Sequence, residues 1–371
     1  MHLRGVFIGF ICALSAFAQP DIPTLLKTGD TAYLKGQYDQ ARDAFLQAWE
    51  AAQETPADNP VRYDILKRLT NVRAAAGEFA DADQWLQKAL AWREAVSGPQ
   101  DPKIADDLLL SVGLNRSMKA YEQAMTIMQR VQKLHTSIYG PNSPFFADDF
   151  SRMAQIYAEL KRPEQAIAMY KLALEVRKRL SGPLDPSLVP DLDRMGELYN
   201  MVRDYENAEA TFRHDLIIRE TVYGKIHVDL ISTVDGLAYA LFGQKNYDAA
   251  EPVYRRLLEL WEASVGKDHP MIAVTLDKIS VFYADQKKLA EAHEALERSV
   301  AIRAHFQAQG ISHQGTQALG EGKMPEAKAY YQRALVVLGD PNPVTEELRK
   351  QFEGILKAME QSAQRKPMPK K

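Results

Sequence analysis

Apolar residues return along this chain at the spacing of an amphipathic helix, and they do so twice within each stretch of about forty residues. Phe150, Met153, Ala154, Tyr157 and Leu160 share one helical face. After the polar turn Lys161-Arg162, a second face is made by Ala166, Tyr170, Ala173, Leu174 and Leu180. Each unit is therefore read as two helices joined by a short turn. Pro163 suits the first helical position, where the N–H it lacks would have no partner anyway.

The unit repeats in strict register. Phe79-Ala-Asp-Ala82, Tyr121-Glu-Gln-Ala124, Pro163-Glu-Gln-Ala166, Tyr205-Glu-Asn-Ala208, Tyr247-Asp-Ala-Ala250 and Leu289-Ala-Glu-Ala292 begin 42 residues apart. Tyr38-Asp-Gln-Ala41 lies 41 residues before this series and Met324-Pro-Glu-Ala327 lies 35 after it, giving eight units. Between units stand Gly98, Gly140, Gly182, Gly224 and Gly266, each expected to end a helix in the left-handed conformation. Four residues after each comes Pro102, Pro144, Pro186, Val228 or Pro270, which stops one helix and opens the next. With the loops removed, two helices of about 16 residues remain per unit, each about 24 Å long.

These residues resemble the tetratricopeptide repeat (TPR) family, in which a small residue, an aromatic and alanine-like positions recur through a helix-turn-helix unit. Gly29, Tyr33, Tyr38, Ala41, Phe45 and Ala48 fit that spacing, and so do Ala154, Tyr157, Pro163, Ala166, Tyr170 and Ala173. The likeness covers about residues 22–342. The longer unit, with Gly266-Lys-Asp-His-Pro270, is similar to the kinesin light chain subtype; only the last unit, with Gly315, Gly322, Met324, Ala327, Tyr331, Ala334 and Pro341, returns to nearly the common short length. The resemblance implies an all-α fold, an alpha-alpha superhelix (TPR solenoid) of about eight helix-turn-helix repeats over residues 19–342. A capping helix is expected over 343–363, beginning near Thr345-Glu-Glu, and a disordered basic tail over 364–371.

The chain opens differently. Arg4 precedes the unbroken apolar stretch Gly5 to Phe17, and Ala16 and Ala18 frame Phe17 in an A-x-A pattern. Residues 1–18 therefore read as a signal peptide, too short in apolar length for a membrane span, which needs about 20 residues. The exported protein would be periplasmic or secreted, with no stable membrane insertion after cleavage. Cys12, the only cysteine, lies in this stretch, so cleavage leaves no disulfide, thiolate metal site or cysteine nucleophile. A lipid-modified Cys12 is the competing reading, against which Gly9 stands where leucine is wanted. With 26% charged residues and a net charge of -3, the chain has no bias toward nucleic acid.

Candidate chemistry is sparse. The seven histidines beyond the signal never pair at the three- or four-residue spacing that puts two metal ligands on one helix face. No glycine-rich phosphate loop is present, His269 reads as a turn hydrogen-bonder, and the acid pairs Asp106-Asp107 and Asp148-Asp149 read as helix-start charges. No catalytic, cofactor-binding or metal site is expected.

Function in such a solenoid is expected in a peptide-binding groove lined by the first helix of each unit. The resemblance carries over the positions of paired asparagines that hold peptide backbones in the kinesin light chain type, but here they are Ser151-Arg152, Asp193-Arg194, Asp235-Gly236 and Asp277-Lys278. A second family pattern, a carboxylate clamp, is met by Lys67 and Asn71 but fails at Leu110. What remains is the ladder Asp193, Asp235 and Asp277, with Tyr239 and Phe242 on the face of Asp235 and with Arg152 and Arg194 beside the ladder positions. Such a wall suits a basic or aromatic-bearing peptide of a protein partner. Equally, these aspartates can pair with Arg194, Lys278 and similar neighbours on a solvated face. Three functions stay open: a protein-binding adaptor, a ligand-sensing or regulatory assembly domain acting on a partner enzyme, and a hydrolase using groove acids.

Overall fold

A computed structural model describes residues 21–364; the signal peptide reading, Cys12 and the tail from residue 365 lie outside the described residues. The helices run α1 Ile22–Leu34, α2 Tyr38–Ala52, α3 Pro60–Ala75, α4 Phe79–Ser97, α5 Lys103–Ser117, α6 Tyr121–Tyr139, α7 Pro144–Glu159, α8 Pro163–Ser181, α9 Val189–Met201, α10 Tyr205–Tyr223, α11 Ile231–Gly243, α12 Tyr247–Val265, α13 Pro270–Asp285, α14 Leu289–Gly320, α15 Met324–Val337 and α16 Glu346–Gln364. Short 3-10 turns, Pro186–Leu188 and Val228–Leu230, precede α9 and α11, so Val228 takes the place of proline without changing the local path. The chain parts into two compact units between Arg162 and Pro163, that is, between the two helices of the fourth repeat.

Eight turns join the first helix of a repeat to the second, and each closes the same way. Gly36, Gly77, Lys119, Lys161, Arg203, Lys245, Lys287 and Gly322 all have φ between 59° and 80°. The N–H of the next residue returns to a carbonyl five positions back, from Gln37 to Ala32 at 2.9 Å through to Lys323 to Ala318 at 2.9 Å. This is the Schellman closure, and it satisfies carbonyls the helix end would otherwise strand.

The linkers between repeats differ from the expectation. Gly98, Gly140, Gly224 and Gly266 do not adopt the left-handed helical cap; their φ of 78° to 86° is combined with ψ of 162°, 171°, -179° and 162°. That region is open essentially to glycine alone, which explains why lysine or arginine replaces glycine in five of the turns but in none of these linkers.

A second departure is α14, which runs unbroken for 32 residues and contains both the second helix of the seventh repeat and the first helix of the eighth. By register Ala308 stands where a linker glycine would be, and no proline falls between Leu289 and Met324. Nothing therefore stops the helix. Its consequence shows in the core. Phe45, Leu86, Met128, Tyr170, Phe212 and Tyr254 occupy one register position in successive second helices and are at most 4% exposed. Leu296, the seventh in that series, is 45% exposed, because the helix that would cover it continues straight instead of folding back. Past that point Ala308, Ile311, Tyr331, Leu338, Phe352 and Met359 form a separate small core joining α14, α15 and α16.

Candidate functional site

The first helices are held by a buried side-chain contact, a basic residue against an aspartate, that recurs with the repeat. In the first unit Arg93 Nε of α4 donates to Asp107 of α5 at 3.1 Å, and His135 Nδ1 of α6 lies 2.9 Å from Asp149 of α7. In the second unit Arg177 Nε of α8 donates to Asp191 of α9 at 3.1 Å. Asp107 and Asp149 are thus not helix-start charges, as the sequence suggested; both are buried and face a basic side chain, Arg93 or His135, fourteen residues earlier. Asp107 also accepts from Tyr63 Oη at 2.8 Å and Lys67 Nζ at 2.7 Å, so Lys67 is committed to the scaffold rather than to a carboxylate clamp. His269 accepts the Met271 N–H at 3.2 Å and caps α13, the turn role expected of it.

The series breaks at α10 and α11, where position 233 is threonine. Without an aspartate ahead of it, Arg219 turns back: its Nε donates to Asp215 one turn earlier at 2.9 Å, its Nη1 to the Asp229 carbonyl at 2.8 Å, and its Nη2 to Asp193 of α9. Thr233 donates its hydroxyl to Asp215 at 2.6 Å. Asp193 is thereby drawn toward a second carboxylate. Burial, and then Asp215, push it up to about 6 against the opposing pull of Arg219.

Above this arrangement lies a cavity of about 610 Å³ within the second unit. From α9 come Asp193, Glu197 and Asn200; from α11 Ser232, Asp235, Gly236, Tyr239 and Phe242; from α13 Asp277, Lys278 and Val281; and from the second helices Phe212 and Tyr254. A β-carbon on Gly196 or Gly236 would stand 2.7 or 2.4 Å from the Phe212 ring, so both glycines are needed to admit that ring beneath the cavity. Asn200 Nδ2 donates to the Gly236 carbonyl at 3.0 Å and ties α9 to α11. Phe242 packs on Phe282 at 5.9 Å and Tyr239 on Tyr205 at 6.1 Å between ring centres, both edge to face.

The tetratricopeptide repeat family model matches residues 108–179, 149–221 and 229–304, and a second tetratricopeptide model matches residues 69–103. This chain belongs to the tetratricopeptide repeat family. Among solved TPR structures, the C-terminal part of a TPR repeat-containing protein from Cytophaga hutchinsonii is similar at a TM-score of 0.55, with 14% identity over 75% of this chain and 95% of that one. BtubC (BKLC) from P. vanneervenii gives a TM-score of 0.49 with 21% identity, covering 62% of this chain and 92% of that chain. A TPR protein from Parabacteroides merdae gives 0.46 with 19% identity, covering 78% and 98%. Among curated proteins nothing matches. At 14% identity the likeness to the Cytophaga protein shows the fold alone.

Of the residues the sequence put forward for the TPR groove, Asp193, Asp235, Asp277, Tyr239 and Phe242 line this one cavity. Arg194 does not; it points to solvent and pairs with Glu197 at 2.9 Å. Arg152 is an exposed residue of α7 in the first unit and does not line the cavity either. Each ladder carboxylate has a cation: Arg219 for Asp193, Lys278 Nζ at 2.6 Å for Asp235, and Arg303 for Asp277, whose acidity the Arg303 contact increases. Pairing with neighbours is therefore real, but only Lys278 is the partner the sequence suggested. Phe212, Tyr254, Asn200 and Glu197 were missed. Glu197 and Asn200 follow Asp193 by one and two helical turns, a signal that was available. Among the described residues, no group of three or more His, Cys, Asp or Glu side chains is placed to hold a metal ion, and no helix is long and apolar enough to cross a membrane.

Proposed function

We propose that this chain is an exported TPR scaffold that holds an extended segment of another protein in the groove of its second unit and does no chemistry of its own. Export to the periplasm or beyond the cell rests on the charged, apolar and small-residue order of residues 1–18. The observation that carries the groove is the meeting of Asp193, Asp235 and Asp277 with Tyr239 and Phe242 around one cavity. Fixed charges set the register of a bound segment, while aromatic faces supply buried area. A groove over several first helices suits a chain in extended form, whose side chains can enter one after another.

Ser232 is exposed on the cavity wall, so Ser232→Trp fills the site without entering the core. Proteins cross-linked in the native envelope to the unaltered chain, and lost with Ser232→Trp at unchanged helicity, would be the groove partners. Recovery of the same proteins by both forms would move binding off this groove.

A further inference from the structure

Two buried acceptors around the cavity have no donor. Asn200 Oδ1 is one; Asp215 Oδ1 is the other, on a side chain that is wholly buried. Asp215 uses its other oxygen for Thr233 and Arg219. The charged groups facing Asp193 are Asp215 and Arg219 of α10, while Glu197 of its own helix, with Asp235 of α11 and Asp277 and Lys278 of α13, shares the cavity wall. The wall thus carries four carboxylates and one ammonium, and from outside it Arg194, Arg219 and Arg303 reach Glu197, Asp193 and Asp277. Phe212, Tyr239, Phe242 and Tyr254 supply ring faces of the kind that attract a cation.

Building on the groove reading above, we infer that the cavity takes up a cationic side chain of the bound segment, lysine or arginine, against Asp193 and releases one proton from the Asp193–Asp215 pair as it does so. Two carboxylates beside a single guanidinium leave one negative charge in excess. With no ligand, a proton on Asp193 offsets it and gives Asp215 Oδ1 the donor it lacks. A ligand ammonium or guanidinium does the same electrostatic work, so the proton departs to solvent while the net charge of the site stays constant. The free donors of the incoming group then have Asp193 and Asn200 Oδ1 to meet. Binding and proton release are linked, and affinity falls about tenfold for each pH unit below the point where Asp193 takes up its proton, about 6.

Short random peptides displayed on phage, selected on the full chain near neutral pH and counter-screened on Ser232→Trp, provide the probe. The selected peptide is remade with citrulline for arginine or acetyl-lysine for lysine, and both versions are titrated by calorimetry from about pH 5 to about pH 7.5 in buffers of different ionisation heat. The expected result is a loss of tenfold or more with the neutral version, about one proton released per peptide near the lower end of that range, and a flat profile with Asp193→Asn, its melting temperature and helicity checked first. Groove-dependent peptides that bind equally well when neutralised, or without proton release, overturn the inference and leave the groove reading standing. If no selected peptide is lost on Ser232→Trp, both fall.

Discussion

Thr233 gives its hydroxyl proton to Asp215 at 2.6 Å, in the place where Asp107, Asp149 and Asp191 stand in the preceding repeats. One change from carboxylate to hydroxyl thus releases Arg219 to reach Asp193, which lines the cavity.

The Thr233 contact is testable by deletion. Thr233→Val keeps the shape but removes a donor from a carboxylate that is fully buried, which costs about 1 to 3 kcal/mol. Urea denaturation of Thr233→Val, Asp215→Asn and the double variant should show strong coupling. Additive losses would mean the hydroxyl contributes little.

Substitutions at the two kinds of positive-φ residue should have opposite signs. Lys119 and Lys287 hold φ of 59° and 62°, so Lys119→Gly and Lys287→Gly each relieve strain and raise stability by about 0.5 to 1 kcal/mol. Gly140, at φ 78° and ψ 171°, has no such latitude, and Gly140→Ala costs about 1 to 3 kcal/mol. Thermal melts of the three variants decide it; a stable Gly140→Ala would refute the linker geometry.

Truncating the large residue of the second helix should be costly everywhere but in the seventh repeat. Leu86→Ala and Met128→Ala remove fully buried side chains, at about 2 to 5 kcal/mol each. Leu296→Ala removes one already half in water and costs under about 1 kcal/mol. A large loss on Leu296→Ala would show that α14 folds back in solution.

The pH dependence of stability follows from Asp149, which burial raises from 3.8 to about 6 even with His135 beside it. Between those values the folded chain keeps a proton that the unfolded chain has released. Its stabilisation is therefore complete below about pH 4 and is lost as pH rises through about 6, by at most about 3 kcal/mol. Asp193 contributes in the same direction. Melting temperatures of the unaltered chain and Asp149→Asn should diverge over that interval and run parallel above it; a constant difference would place the ionised Asp149 in the fold at all pH values.

The repeat was fully legible in the sequence because its signals are local: helical period, a recurring alanine and a glycine before each proline. The carboxylate ladder was legible for the same reason, since Asp193, Asp235 and Asp277 share one register. What the register cannot say is which way a carboxylate turns. Asp107 and Asp149 sit beside Asp106 and Asp148 in the chain, yet they face inward to Arg93 and His135, a choice set by partners on another helix. Phe212 and Tyr254 looked like core residues, and are, but they also form the floor of a cavity. The unbroken α14 was hidden because an absent linker glycine leaves no mark of its own; only the shortened spacing of 35 residues pointed to it.

That long helix also sets how the chain comes apart. Repeats joined by a glycine linker can melt one after another from an end, each losing one nearest-neighbour interface at a time. A single rod of 32 residues, about 48 Å, is shared by the seventh and eighth repeats and has no linker at which the unwinding of one would stop before the other. The last two repeats therefore melt as one cooperative block, and amide protons at Ile302 and Ile311 should exchange with the same free energy of opening.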